Sequence, residues 1–134
     1  MRPDPVCRRV SVREVEPGIH VLSNADLDTP WPKSERLRTA MQRAGAHDAP
    51  DIDALFAALA GTRVAPDDAL PHTGLGLERE RWLSAPFIRG EDYGTRASTV
   101  VLAAKDGVRF VERRFGPGGR ADGDSDRRLP LAGD

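Results

Sequence analysis

Apolar residues recur at helical spacing in two stretches of the chain. In the first stretch they fall at positions i, i+3, i+4 and i+7, which places one apolar face on Leu37, Ala40, Met41 and Ala44. Thr29 is predicted to cap this helix, because a threonine side chain can accept from a free backbone N–H, and Pro30 suits the first helical position. Gly45 is predicted to end the helix in the left-handed conformation.

A second helix is predicted immediately after Pro50. Asp51 is its expected N-cap, and Gly61 is expected to stop it. Its apolar stripe consists of Ile52, Leu55, Phe56 and Leu59. A long loop follows, and one or two further helical turns are predicted over residues 77–83. The two longer helices are expected to lie on a sheet through their apolar stripes.

The clearest strand signal is a hairpin between residues 99 and 115. Thr99 to Ala104 is rich in β-formers, Asp106-Gly107 is a favoured two-residue turn, and the chain returns over Val108 to Phe115. Such a hairpin places Val101, Ala103, Val108 and Phe110 on one face and Val100, Leu102, Val111 and Phe115 on the other. Since both faces are partly apolar, we expect the hairpin to be covered on both sides. Two helices are too few for that, so the sheet is predicted to be incomplete and only marginally stable alone.

Two further short strands are predicted before the first helix. They are Val12 to Val15, and a buried strand over Ile19 to Ser23 that ends at Asn24. Together with the hairpin and the helices, they indicate an α+β fold. The chain is expected to divide into a flexible N-terminal segment (1–17), a folded portion (18–115) and a disordered tail rich in Gly, Asp and Arg (116–134).

The composition is that of an ordinary soluble protein. The chain has 134 residues, enough for one domain, of which 39% are hydrophobic and 31% charged. A net charge of −1 excludes a global field that would recruit nucleic acid or an acidic membrane, although an arginine surface for polyanions stays open. Only Lys33 and Lys105 are lysines among 20 cationic residues, a bias that indicates a GC-rich bacterial genome. Because no apolar run could span a membrane and no signal peptide is evident, we expect a cytoplasmic protein.

Metal-binding and nucleophile motifs do not occur in the sequence. His20, His47 and His72 match no metal-ligand spacing, and surface or structural roles are favoured for all three. Cys7 is the single cysteine and can form neither an internal disulfide nor a cysteine-rich metal site, so we interpret it as an incidental thiol. There is no nucleophile elbow and no phosphate-binding glycine loop. The residues themselves therefore predict no cofactor and no metal.

Three segments carry a more specific signal. They are Leu22-Ser23-Asn24 with Thr29-Pro30-Trp31-Pro32-Lys33, the stretch from Leu75 to Ser84, and Tyr93-Gly94-Thr95-Arg96 leading through Thr99 into the hairpin, whose return strand carries Glu112-Arg113. In order and spacing these segments resemble the C-terminal half of the NRDE family, also called the transport and Golgi organisation family. The resemblance covers about residues 4–118.

The resemblance implies a fold like that of the N-terminal-nucleophile hydrolases, with two antiparallel sheets between helical layers (αββα), of which this chain holds part. In such enzymes the first residue attacks an amide, an asparagine helps to hold the oxyanion and an arginine orients the nucleophile. By position, these supporting roles fall on Asn24 and Arg96. The weaker candidates are Tyr93, Thr95 and Ser23. Two structural alternatives remain: Asn24 only ends a strand, and Arg96 pairs with Asp92 or Glu91.

The chain departs from the family in its first half. The family's N-terminal Met-Cys and its Asn-Arg-Asp-Glu motif do not occur, and Cys7 stands in the wrong context to be a displaced nucleophile. No catalytic residue is therefore assigned, and the chain is expected to lack the segment that completes an active site. The expected partners are the missing N-terminal half of the family and a small-molecule ligand.

Three functional hypotheses follow from the resemblance and its gaps. The first is a ligand-binding or trafficking protein of this family, with haem or a lipid-like metabolite as ligand. Haem is implied by the resemblance alone, and His20 is only a remote candidate to ligate it. The second is the remnant of an amide hydrolase, inactive alone. The third is a stand-alone interaction module or a reading frame without function.

Overall fold

A computed structural model of the chain describes residues 11–46 and 49–131. The described helices are α1 (Pro32–Ala44), α2 (Ile52–Leu59) and α3 (Leu77–Leu83), and the described strands are β1 (Ala97–Ala104), β2 (Gly107–Phe115) and β3 (Ala121–Leu129). The strands form one antiparallel sheet in the order β1-β2-β3. The α+β prediction is therefore confirmed. Cys7, His47 and the first ten residues lie outside the described ranges.

Helix α1 begins later than predicted. Its N-cap is Trp31 and its first residue is Pro32, whereas Thr29 lies in the preceding turn and donates its hydroxyl to the carbonyl of Asp26 at 2.8 Å. The cap predicted at Thr29 was therefore wrong, because its side chain closes a turn instead of meeting a helix N–H. Gly45 was also mispredicted: its φ of −80° is right-handed, so the chain leaves α1 without a left-handed residue.

Helices α2 and α3 form where the sequence predicts them. The side chain of Asp51 accepts from the backbone N–H of Ala54 at 3.0 Å, which confirms the predicted N-cap of α2. Phe56, on the inner face of α2, is 2% exposed and lies in the core between the helices and the sheet. The guanidinium of Arg113, on β2, lies 4.1 Å from the centre of the Phe56 ring and bonds to Asp53 at 2.9 Å. This contact fastens α2 to the sheet.

The hairpin forms with the predicted faces but a shifted turn. Ala104 pairs with Gly107, so Lys105 and Asp106 are the turn residues rather than Asp106 and Gly107. Val101 lies opposite Phe110, and Val100 lies opposite Val111, as the predicted faces require. The shift of one residue in the turn preserves this alternation, because it moves the pairing register by two.

One face of the sheet is covered by described residues and the other is open. Val100 is buried on the covered face, towards the helices. On the opposite face Val101 is 54% exposed and Leu129, on β3, is 57% exposed. The expectation of cover on both sides is therefore met on one side only within the described part of the chain.

The predicted disordered tail was wrong, because residues 121–129 form strand β3. Arg109 on β2 binds Asp126 on β3 through two nitrogens, at 3.0 and 2.6 Å, and Arg114 donates to the hydroxyl of Ser125 at 2.7 Å. Backbone pairing and these polar contacts hold the strand. Its sequence contains almost no apolar residues, so hydrophobic alternation could not reveal it.

The two strands predicted before α1 do not form. Residues 12–15 and 19–23 have no regular secondary structure. The carbonyl of Ile19 accepts from the guanidinium of Arg38 at 2.5 Å, and the carbonyl of Val21 accepts from the N–H of Asp28 at 2.8 Å. A side chain and a local turn take these carbonyls, and the segment does not belong to the described sheet.

Candidate functional site

A cavity of about 240 Å³ opens between the start of α1, the helix α3 and the loops before each of them. We call it the α1–α3 cavity. Its apolar wall includes Trp31, Pro71, Leu75 and Leu83, and its polar wall includes Asn24, Lys33, Glu80 and Ser84. Asn24, selected from the sequence, therefore lines a cavity together with a cation and a carboxylate that had not been selected.

Lys33 brings a partly desolvated positive charge to this cavity. Its ammonium donates to the carbonyl of Leu83 at 3.1 Å and lies 5.6 Å from the centre of the Trp31 ring. Burial lowers the pKa of Lys33, because desolvation disfavours the charged form. An ammonium has three N–H donors, and the described residues bond one of them. Lys33 can therefore donate to an anionic ligand.

Glu80 has a different role, since its carboxylate is already bonded by the protein. It is 7% exposed and accepts from the backbone N–H of Thr73 at 2.8 Å and from the Thr73 hydroxyl. The Thr73 hydroxyl, followed by backbone N–H groups, lowers the pKa of Glu80 below its usual range. The carboxylate therefore stays ionised and fixes the loop before α3.

Ser84 is also occupied. Its hydroxyl accepts from the N–H of Ala65 at 2.7 Å and donates to the carbonyl of Arg81 at 2.5 Å. A serine that acts as a nucleophile needs its proton removed by a neighbouring base. Because the proton of Ser84 points to a backbone carbonyl, this hydroxyl is structural.

The loop that carries Asn24 is closed by three side chains, His20, Asp28 and Arg38, which we call the His20 clip. Nδ1 of His20 lies 2.6 Å from Oδ2 of Asp28, and Nε2 lies 2.8 Å from the carbonyl oxygen of Glu16. Both partners are acceptors, so the two bonds together require the doubly protonated imidazolium. The carboxylate of Asp28, followed by the Glu16 carbonyl, raises the pKa of His20.

Asp28 joins the loop to helix α1. Its Oδ1 accepts from the backbone N–H of Val21 at 2.9 Å and from Nη2 of Arg38 at 2.8 Å. His20, then the Val21 N–H and then Arg38 hold the pKa of Asp28 well below its usual range. Asp28 also has a φ of +64°, a left-handed conformation that aspartate tolerates better than most residues. Its side-chain partners His20 and Arg38 lie eight and ten positions away in the chain, so local sequence patterns do not reveal them.

Comparison with known proteins assigns the chain to a family. A family model described as Transport and Golgi organisation 2 matches residues 6–117. The chain belongs to this family. Among curated proteins, the Transport and Golgi organization protein 2 homolog of Bos taurus is 35% identical over 109 residues, which cover 72% of this chain and 38% of the bovine protein. The chain thus spans well under half of the relative's length. No solved structure matches it.

The family assignment confirms the resemblance that the sequence motifs predict. Of the three motif segments, two contribute to the α1–α3 cavity: the segment from Leu22 to Lys33, and the segment from Leu75 to Ser84. The Transport and Golgi organisation 2 match also includes the third segment, which leads into β1. The described residues contain no helix long and apolar enough to cross a membrane, and no group of three or more metal-ligating side chains.

The third segment stands apart from the cavity. Arg96 is exposed at the start of β1, where its carbonyl accepts from the N–H of Phe115 at 2.8 Å. Among the described residues its guanidinium makes no ion pair, so the alternative pairing with Asp92 or Glu91 is not observed. Arg96 is not among the residues lining the cavity with Asn24. Their supporting roles stay predictions.

The weaker candidates Tyr93, Thr95 and Ser23 do not line the α1–α3 cavity, and their roles stay predictions. The hydroxyl of Thr95 accepts from the N–H of Ile88 at 2.9 Å, which fixes the loop before β1. The ring of Tyr93 packs 5.5 Å from that of Trp82 and is largely exposed. Ser23 precedes Asn24 and does not line the cavity. None of the three contributes to the α1–α3 cavity.

Proposed function

We propose that this chain is the ligand-binding part of a larger or split Transport and Golgi organisation 2 domain. Its α1–α3 cavity would take a small, lipid-like metabolite with an anionic group. The observation that carries the proposal is the ammonium of Lys33, which is partly buried beside an apolar wall and bonds one carbonyl. A desolvated charge is costly unless it is paired, so an anionic ligand is favoured there.

The two walls match two parts of such a ligand. Trp31, Leu75 and Leu83 offer apolar surface to an alkyl or ring system, while Lys33 offers a donor to a carboxylate or phosphate. Glu80 does not oppose this, because Thr73 already satisfies it. The cavity is smaller than the roughly 300–1,000 Å³ of most ligand pockets, so it suits a small metabolite or the anionic end of a longer one.

The lipid-like version of the proposal fits this cavity better than the haem version. Haem iron is held by His, Cys, Met or Tyr side chains, and the cavity is lined by none of these. His20 is an unsuitable ligand as described, since both of its ring nitrogens are bonded to acceptors of the protein.

One observation favours an amide hydrolase remnant as the second candidate. Asn24 lines a cavity, as an oxyanion-binding asparagine of an N-terminal-nucleophile fold would. The nucleophile would then come from the family segment that this sequence does not contain. The test is amide hydrolysis after reconstitution of the chain with that segment. Activity that is lost when the segment's N-terminal cysteine is replaced, and that is reduced in Asn24→Ala, would support this candidate.

The test of the binding proposal compares the only two lysines of the chain. Lys33→Met removes the charge in the cavity, and Lys105→Met removes the other lysine, in the exposed hairpin turn. Dodecanoate and uncharged dodecanol are titrated into each protein by calorimetry. We expect dodecanoate to bind Lys33→Met about tenfold more weakly than it binds the natural chain or Lys105→Met, because one charge-assisted hydrogen bond is lost. Dodecanol should not distinguish the variants.

Equal dodecanoate affinity in Lys33→Met and Lys105→Met would contradict the proposal. A haemin titration tests the haem version of the proposal. A Soret shift that His20→Gln abolishes and Lys33→Met does not would favour haem and a different site.

A further inference from the structure

An apolar groove runs along the outer edge of strand β1. One side is the irregular segment 19–22, and the other is residues 99–102 of β1. Side chains of α1 and α2, among them Leu37 and Leu55, form the floor. We call this the edge groove. Its volume is about 390 Å³, larger than the α1–α3 cavity.

The edge groove lies between β1 and the irregular segment 19–22, and no described backbone hydrogen bond joins the two. β1 pairs with β2 on its inner side, and in the described sheet it has no neighbour on its outer side. The described backbone hydrogen bonds include none between Ile19–Leu22 and β1. Within residues 99–102, the backbone N–H and C=O groups on the outer side of β1 therefore face the groove and have no partner among the described residues, which makes this edge a template for another strand.

The side chains around the groove define the chemistry of such a strand. Leu22 is 69% exposed and Val101 is 54% exposed, so apolar surface continues from the groove onto the open face of the sheet. The charged groups beside it, His20 and Arg38, are already bonded to Asp28. An uncharged strand with apolar residues on both faces fits these surroundings. At about 3.3 Å per residue, the four groove residues of β1 pair with a stretch of about 13 Å.

We propose that the edge groove receives a β-strand from the part of the family domain that lies outside the region matched here. The supporting fact is length: the match covers 38% of the bovine relative, so most of that protein is available to supply the strand. The inference rests on the proposed function only in taking the chain as part of a larger or split domain. It does not depend on the ligand of the α1–α3 cavity.

The experiment uses the full chain and the portion of the bovine relative outside the 109 matched residues. That portion is purified separately, or co-expressed with the chain if it does not stay in solution alone. Affinity is measured by fluorescence anisotropy, and hydrogen exchange locates the contact. We expect a one-to-one complex that slows exchange in Thr99–Leu102 and leaves the outer edge of β3 unchanged.

Two exposed apolar residues supply matched variants. Leu22→Lys places a charge in the edge groove, whereas Val64→Lys places one on a loop away from it, where Val64 is 48% exposed. Since both side chains are exposed, both variants should fold. We expect Leu22→Lys to weaken the complex about tenfold or more, because it buries a charge in an apolar contact, and Val64→Lys to leave it unchanged.

Several results would overturn the inference. They are the lack of any complex at the highest soluble concentration, protection along β3 instead of β1, equal affinity in the two variants, or a dimer of this chain that Leu22→Lys disrupts. Lys33→Met separates the two proposals, because it should abolish preference for dodecanoate without affecting the complex.

Discussion

Phe56 offers the most direct test of how the helices are held on the sheet. Its side chain is 2% exposed and lies under the guanidinium of Arg113, 4.1 Å from the ring centre. Phe56→Ala removes a buried ring and leaves a void between α2 and the sheet. The expected loss in the free energy of unfolding is about 3–5 kcal/mol. For a small domain with a total of about 5–15 kcal/mol, this is a large fraction.

The lost free energy has two parts, the burial of the Phe56 ring and its contact with the Arg113 guanidinium, and separate substitutions measure each part. Phe56→Leu keeps most of the apolar volume and should cost up to about 1.5 kcal/mol from the change of shape, in addition to the lost contact with the cation. Arg113 is 39% exposed, so its cation–π energy should lie near the lower end, about 0.5–1 kcal/mol. The double variant of Phe56→Leu with Arg113→Gln should show a coupling energy of that size. Asp53 is 89% exposed, so Asp53→Asn is a control expected to change stability by less than about 0.5 kcal/mol.

The assay is urea unfolding followed by circular dichroism, with the slope of the transition compared between variants. An unchanged slope shows that the midpoint reports stability alone. If Phe56→Ala costs less than about 1 kcal/mol, α2 does not pack on the sheet as described. A coupling energy of zero between Phe56 and Arg113 would show that the contact between the guanidinium and the ring does not stabilise the fold.

Two more predictions concern the His20 clip and a glycine. Because folding raises the pKa of His20, the contribution of protonated His20 to the free energy of unfolding is full below about pH 6.5 and is lost as the pH rises through the raised pKa. Folding lowers the pKa of Asp28, so the contribution of ionised Asp28 to stability persists down to acid pH. Urea midpoints should therefore differ between the natural chain and His20→Gln at about pH 6 and converge at alkaline pH; a gap that is independent of pH would refute this. Gly119 has a φ of +73°, and an added Cβ would lie 2.8 Å from the Phe87 ring, whereas at Gly74, with a φ of +84°, it would meet nothing within 4 Å. Gly119→Ala should therefore lower the thermal midpoint more than Gly74→Ala, by the equivalent of about 1–3 kcal/mol, and equal shifts would contradict the described packing.

Features determined by neighbours in sequence were predicted well. Asp51 caps α2 through a residue three positions away, and the apolar stripe that contains Phe56 faces the core. The faces of the hairpin followed from alternation alone. The start of α1 was missed, since both Pro30 and Pro32 suit a first turn. In the structure Asp28 bonds to residues eight and ten positions away, Thr29 closes a turn on Asp26, and the helix begins only after that turn.

Features determined by distant partners could not be predicted from the pattern. Strand β3 depends on ion pairs such as that between Arg109 and Asp126, which a strand of this composition does not reveal. Of the residues that line the α1–α3 cavity, only Asn24 was proposed from the sequence as a site residue, and family resemblance rather than a local pattern selected it. Lys33 and the carbonyl of Leu83 are fifty residues apart, so nothing local indicated that they meet.

The His20 clip restricts the loop that bears Asn24 before any ligand arrives. His20 and Asp28 are eight residues apart, and their bond closes the loop between them into a ring anchored on α1. A loop that is ordered only on binding must lose its conformational entropy at that moment, which weakens affinity. Here the loss occurs during folding instead. Asn24 is thereby held in place within a closed loop, which would reduce the entropy lost on binding the proposed ligand.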